Sequence, residues 1–412
     1  MSFTSGTLGR SRWSDVYIAA FAQFFGALGT FLVMVTLVLA LQQRGASGIE
    51  VSILVICEAL PMVVLGKLIG RTVDRFDSRM LLVASGAGQV LACLALAQAQ
   101  QFGAVIVGAI ALSLVSGIAI PTRQALLPAM VIRDDLPKAS AIGQTAGSAG
   151  MMLGPALAGF MVGGFGPKQT MELAALGFIA TIVAGIALRT RRGGVAPAHA
   201  SASETKTAWT LQSDRLLWSS VWGLTAVMAA ISAVNVVLVF FIMRTLHSSE
   251  EVFGLVDSMW TVGLLIGAWA FSRTIRPATT DSALAIRLFA VLGAVSIAVI
   301  MVGSVRQALW IVPCYLIGGA QNGGLNVLTG TLLGRRVPAE ARGRANAAMG
   351  MRVQAGALIG YIAGGVLLEI SEPRWIVVGC GVLGVLTVLA VAPFVLRSAR
   401  AAAPTPELAQ VG

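Results

Sequence analysis

The sequence predicts an all-α membrane protein of twelve transmembrane helices arranged as two pseudo-symmetric six-helix bundles. Three observations carry this expectation. The 412-residue chain is 57% hydrophobic and 11% charged, with a mean hydropathy of +0.85, a balance that no soluble domain of this length sustains in water. Its apolar residues come in continuous runs, without the period-two alternation of a transmembrane barrel strand. The second half of the chain repeats spaced residues of the first at an offset of 206 positions.

Apolar runs fall at about 13–42, 50–70, 79–99, 102–124, 138–163, 169–189, 216–243, 251–272, 283–304, 308–332, 345–369 and 374–396. A span needs roughly 20 mostly apolar residues, so each run is long enough for one crossing. With both termini inside, 24 basic residues fall in or beside inner segments and five (Arg44, Lys168, Arg244, Arg306, Arg374) in outer ones, together the 29 of the composition. Lys and Arg resist translocation, and this split fixes the orientation.

Between Arg189 and Arg215 the apolar pattern gives way to Gly193, Gly194, Pro197, Ser201, Ser203 and Thr205, the composition of a flexible linker. The expected organisation is an N-terminal bundle over 1–189, a cytoplasmic linker over 190–213, a C-terminal bundle over 214–400 and a tail over 401–412. The repeat supports the division. Leu126-Leu127, Val131, Asp134, Lys138, Gly150, Gly154 and Gly159 reappear as Leu332-Leu333, Val337, Glu340, Arg344, Gly356, Gly360 and Gly365, as in transporters built from parallel repeats.

Several function classes are set aside. The net charge of +11 is scattered in clusters between apolar runs and reads as topology, not as a nucleic-acid surface. Cys57, Cys93, Cys314 and Cys380 each lie in a different run without metal-ligand spacing, so no metal site is expected. The run after Met1–Arg12 is too long for a signal-peptide core and reads as a retained first helix. No nucleotide-binding loop, zinc-protease motif or hydrolase elbow occurs. The chain is therefore expected to be no enzyme, to use no cofactor, and to draw on an ion gradient or on its substrate's own.

Gly66–Arg79 packs Lys67, Arg71, Arg75 and Arg79 into one turn between two spans. The stretch resembles the loop between the second and third helices of major facilitator superfamily transporters, G-x-x-x-D-R-x-G-R-R, matched here by Gly70, Asp74, Arg75 and Arg79, with Asp77 in place of a usual Gly. The resemblance implies that Gly66, Gly70, Asp74, Arg75 and Arg79 form a conformational latch, with Asp74 against the positive N-terminus of the eleventh helix near Ala345. Arg75 and Arg79 are expected to pair with Asp134, Asp135 or Glu340. A solvated turn whose charges only set topology is the competing reading.

Gly143, Gly147, Gly150, Gly154, Pro155, Ala158 and Gly159 recur at spacings of three and four in the fifth run, which lets a neighbouring helix approach closely while Pro155 bends the helix. Gly150, Gly154, Pro155 and Gly159 also resemble the G-x-x-x-G-P-x-x-G-G motif of exporters in this superfamily. Pro121-Thr122-Arg123-Gln124-Ala125-Leu126-Leu127-Pro128, Arg335-Arg336-Val337-Pro338 and Arg342-Gly343-Arg344 are similar to loops of the branch that contains macrolide-type drug exporters and siderophore exporters such as the enterobactin exporter.

Glu58 and Asp257 are the acids deepest in predicted spans. Glu58 lies 12 residues from Gly70, roughly 18 Å from the inner end at 1.5 Å per residue. An intramembrane carboxylate costs roughly 2.5–3.5 kcal/mol on the insertion scale, so each is either a proton-coupling group or a carboxylate satisfied at a watery mouth. Asp15 reads as a helix cap. Many proton antiporters of the superfamily carry an acid in the first helix, where this chain has Gln23. Gln23, Asn235, Trp260 and Asn326 are the candidates for lining a substrate cavity, polar groups within spans being otherwise used between helices.

The resemblance implies multidrug-type or siderophore efflux: export of a small amphipathic molecule by proton antiport and alternating access. The expected setting is a bacterial-type cytoplasmic (inner) membrane, multi-pass, with the chain acting as a monomer and both termini cytoplasmic. Its partners would be a small-molecule substrate, protons and the lipid bilayer, with no nucleic acid. Uptake on the same fold, a lysophospholipid or other lipid flippase, and a membrane sensor are the alternatives.

Overall fold

A computed structural model describes residues 11–190, 210–276, 279–338 and 341–401. The greater part of the expected linker and the whole of the tail after Ala401 lie outside these. The described residues are helical, with no strand among them. The first half of the chain forms α1 (Trp13–Gln43), α2 (Gly48–Arg75), α3 (Ser78–Gln98), α4 (Phe102–Met130), α5 (Leu136–Phe165) and α6 (Pro167–Ala187). The later chain forms α7 (Arg215–Ile231), α8 (Val234–Phe240), α9 (Glu250–Thr274), α10 (Asp281–Ser304), α11 (Ile311–Arg336), α12 (Arg342–Leu367) and α13 (Pro373–Ala401). A π-turn over Phe241–Thr245 follows α8, and α7, α8 and this turn form one 31-residue apolar stretch from Arg215 to Thr245.

Ten helical stretches among the described residues are long and apolar enough to cross a bilayer. The other two, α11 and α12, have 26 residues each but interrupt their apolar sequence with Gln321, Asn322 and Asn326 or with Arg344, Arg352 and Gln354. Large apolar side chains face outward, Leu91 and Val107 each being 67% exposed. A water-soluble surface does not tolerate so many of them, whereas lipid does. The chain is a multi-pass membrane protein.

The chain forms two compact units. Unit 1 comprises 1–46, 53–201 and 249–258, and unit 2 comprises 47–52, 202–248 and 259–412. In unit 1, α1 packs on α5 and α6, and α3 on α4 and α6; in unit 2, α7 packs on α12 and α13, and α10 on α11 and α13. These are the same contacts shifted by the sequence repeat. Indeed α5 and α12 begin at Leu136 and Arg342, and α6 and α13 begin at Pro167 and Pro373, each pair 206 residues apart.

The repeated glycines explain why the pattern recurs. A Cβ on Gly154 would lie 2.8 Å from Phe31 Cβ and 3.0 Å from the Leu28 carbonyl of α1, while one on Gly360 would lie 2.8 Å from the Ala229 carbonyl of α7. Gly150 and Gly356 make the equivalent approaches to Phe24 and Thr225, Gly159 meets Gly254 in the first turns of α9, and Gly365 meets Gly48 and Ser52 at the start of α2. Contacts this close are open only to a residue without a side chain, and they supply the van der Waals packing that holds helices together in lipid.

One end of unit 1, where α1 starts and α4 ends, is tied by polar contacts. Arg12 N–H donates to the Met130 carbonyl at 2.8 Å. Asp15, expected as a cap, is 1% exposed in the first turn of α1 and instead accepts from Thr190 N–H at 2.8 Å and Thr190 Oγ1 at 2.6 Å, beyond the end of α6. Val16, Leu82, Leu126, Met130, Ala139 and Leu188 form an apolar core there. At the opposite end Arg44 holds the Ala99 and Gln100 carbonyls at 3.1–3.2 Å, and Gly166, at φ 86°, is the one residue between α5 and α6.

Candidate functional site

α4 is longer than the sequence implies. The apolar run in the sequence stops near residue 124, but the helix continues through Pro121 and Pro128 to Met130. Arg123 therefore lies seven residues inside the helix end, about 10 Å at the helical rise, and is 7% exposed. Placed among the inner topology charges from sequence, it is instead a buried cation within the bundle.

Arg123 Nε donates to Gln23 Oε1 at 2.7 Å, and one terminal guanidinium nitrogen, Nη1, is buried without a partner. Two glycines make room for this pair. A Cβ on Gly26 of α1 would stand 3.3 Å from the guanidinium, and one on Gly147 of α5 would stand 3.0 Å from Gln23 Nε2. Side chains at either position would push the pair out of place.

Arg123 and Gln23 line a cavity of about 340 Å³ between α1, α4 and α5. Its polar wall adds Gln124, Ser140 and Gln144, its apolar wall includes Val16, Ala20 and Leu127, and among the described residues no acidic side chain lines it. Of the acids close by in sequence, Asp15 is engaged with Thr190 and Asp135 with the Ser11 hydroxyl. An unpaired guanidinium nitrogen withdrawn from water is costly. A cavity that keeps one beside apolar walls can hold an amphipathic molecule rich in hydrogen-bond acceptors.

Of the expected cavity residues, Gln23 is on this wall. The other three belong to unit 2. Trp260 meets Tyr315 edge to face, ring centroids 5.5 Å apart, and packs on Gly318. Asn235 is exposed and donates to the Ser232 carbonyl at 3.2 Å, and Asn326 is exposed on α11.

Glu58, eleventh residue of α2, has Oε2 buried without a hydrogen-bond partner. Its backbone carbonyl accepts from Ser113 Oγ of α4 at 2.6 Å. Asp257, half-buried in the second turn of α9, belongs to unit 1 as well.

In the basic turn, the described side chains of Asp77 and Arg79 bind backbone groups. Asp77 caps α3 with φ −61°, accepting from Arg79 N–H at 2.9 Å and Met80 N–H at 3.2 Å, which explains why no glycine is needed there. Arg79 donates to the Gly185 carbonyl at 3.0 Å and to that of Ile186, closing the end of α6. Among the described residues no ion pair joins Arg75 or Arg79 to Asp134 or Asp135, contrary to expectation, because Arg79 is taken up by backbone carbonyls and Arg75 is exposed beside Phe76. Gly66 and Gly70 face open space. The side chain of Asp74, like Glu340, lies outside the described residues.

The sequence matches the Major Facilitator Superfamily over residues 19–323 and 283–411. It is 25% identical over 163 residues to the MFS-type transporter YfiS of Bacillus subtilis (strain 168), a match covering 39% of each chain. The fold is similar to that of the nucleoside transporter NupG, with a TM-score of 0.73, 13% identity, and 92% of this chain and 99% of the other covered. It is similar also to a bacterial homolog of the human lysosomal transporter Spinster, with a TM-score of 0.68, 12% identity, and 94% and 97% covered. A peptide transporter of the POT type in complex with sulfate gives a TM-score of 0.69 at 15% identity, with 96% of each chain covered. With its helices, its repeat and the family match in agreement, the chain belongs to the Major Facilitator Superfamily of membrane transporters.

Proposed function

We propose that this transporter exports a small amphipathic organic molecule, a drug or a siderophore-like metabolite, in exchange for protons across a cytoplasmic membrane, with both termini inside. The observation that carries the proton part is Glu58: a carboxyl within a span, with Oε2 buried and unbonded, takes up or releases a proton without breaking any hydrogen bond at that oxygen. Intramembrane acids left in this condition are functional candidates by default. The glycines of α5, including Gly150, Gly154 and Gly159, with Pro155, agree with the exporter motif and support the outward direction.

The test is uptake into everted membrane vesicles of amphipathic drugs and secreted iron chelators under an imposed proton gradient. The expected result is accumulation that collapses when nigericin and valinomycin dissipate the gradient. In Glu58→Gln, gradient-driven accumulation is lost while exchange of labelled for unlabelled substrate survives. Accumulation indifferent to both ionophores overturns the proton exchange. Asp257→Asn, run in parallel, assigns the proton to α9 if it alone abolishes coupling.

A further inference from the structure

We propose that the cavity between α1, α4 and α5 is an anion site, in which Arg123 receives a carboxylate or phosphate group of an amphipathic solute. The inference deepens the transport reading and rests on it.

Arg123 is more than nine-tenths buried, lines the cavity, and keeps Nη1 without a partner. Its one side-chain acceptor is the neutral Gln23 Oε1. A guanidinium offers five N–H donors in a planar fork that matches the two oxygens of a carboxylate or phosphate, and here the fork is left largely unused. Among the described residues no acid lines the wall to compete for it, and the nearby Asp15 and Asp135 are engaged with Thr190 and Ser11.

The remaining wall fits the rest of such a molecule. Gln124, Ser140 and Gln144 are exposed groups that can donate to further acceptor oxygens, and Val16, Ala20 and Leu127 offer apolar contact. A cationic ligand finds no counter-charge among the described residues of the wall and meets a fixed positive one. The charge of the site therefore selects anions.

Two sources share this chemistry, a soluble amphiphile and a lipid headgroup, and the test separates them. The full chain in phosphatidylcholine nanodiscs is dialysed against radiolabelled salicylate, its neutral analogue salicylamide, and salicylate in competition with phenyl phosphate. The expected result is saturable salicylate binding, displaced by phenyl phosphate, with salicylamide at least tenfold weaker. Arg123→Gln lowers salicylate affinity by about 10- to 100-fold, the range for a charge-assisted hydrogen bond, while Arg123→Lys, which keeps the charge but not the fork, loses less. Gln144→Glu, which adds an acid to the wall and leaves Arg123 untouched, weakens salicylate binding as well, and an unchanged size-exclusion profile in each variant excludes misfolding as the cause.

Discs containing phosphatidylglycerol identify the source: competition with salicylate supports a lipid phosphate at the same guanidinium, and unchanged binding supports a soluble anion. Equal binding of salicylate and salicylamide, undiminished binding in Arg123→Gln, or no binding of either anion to the unsubstituted chain overturns the site. Salicylate binding that persists where gradient-driven export fails removes the proton-exchange reading alone.

Discussion

Arg123 of α4 and Gln23 of α1 are joined by a hydrogen bond of 2.7 Å from Nε to Oε1, and the acceptor is an uncharged amide. The choice leaves the guanidinium positive and uncompensated. Gln23→Glu would place a carboxylate against it. This variant is expected to raise the thermal midpoint and to lower salicylate binding at least tenfold, because the added acid occupies the cation. Gln23→Leu removes the acceptor and is expected to destabilise by about 1–3 kcal/mol. Both are read by thermal unfolding in detergent and by dialysis, and a Gln23→Glu variant that binds salicylate normally contradicts the account.

The repeated glycines predict matched effects in the two units. Gly154→Leu drives a side chain into α1, and Gly360→Leu drives one into α7. Each is expected to cost about 1–3 kcal/mol or more from overpacking. Gly70→Leu, with nothing within 4 Å of its position, is expected to leave the thermal midpoint within a degree or two. Size-exclusion profiles after heating distinguish the three.

Arg75 and Arg79 are equivalent in the sequence motif but not in their surroundings. Arg79 holds the last carbonyls of α6, whereas Arg75 is exposed beside Phe76 at 5.9 Å. Arg79→Ala is expected to destabilise unit 1 by about 1–2 kcal/mol through loss of charged hydrogen bonds at a helix C-terminus, and Arg75→Ala by no more than about 0.5 kcal/mol. Equal losses in the two variants would show that the closure of α6 contributes little.

Arg336 joins three helix ends of unit 2. Its Nε meets Asp214 at 2.6 Å and its Nη1 meets Asp281 at 3.1 Å, and Asp214 also caps α7 by accepting from Leu216 and Leu217 N–H at 3.0 Å. The pair with Asp214 is partly buried, so Arg336→Gln is expected to cost about 1–3 kcal/mol. Asp281→Asn, at a more exposed position, is expected to cost about 1 kcal/mol or less. Thermal midpoints at low and high salt check the order.

The helices were legible because lipid demands uninterrupted apolar runs, and the packing surfaces were legible because Gly150, Gly154 and Gly159 keep helical spacing. Arg123 was not legible in its role. Pro121 and Pro128 resemble loop punctuation, and a charge between two prolines reads as the edge of a span. The signal that could have found it is the apolar continuation after it, Ala125, Leu126, Leu127, Ala129 and Met130, which extends the helix beyond the charge. Arg79 was assigned an acidic partner because charge pairs are visible in sequence, whereas a carbonyl at the end of α6, more than 100 residues away, carries no sequence mark.

The three contacts along α5 also constrain its length. Gly150 and Gly154 face α1, and Gly159 meets Gly254. Inserting or deleting a single residue between Gly154 and Gly159 would turn everything beyond by about 100°, aiming a bulky neighbour at α9 in place of the glycine. This stretch should thus accept many exchanges on its lipid side yet refuse any change of register, and the matching stretch of α12 between Gly360 and Gly365 should behave alike.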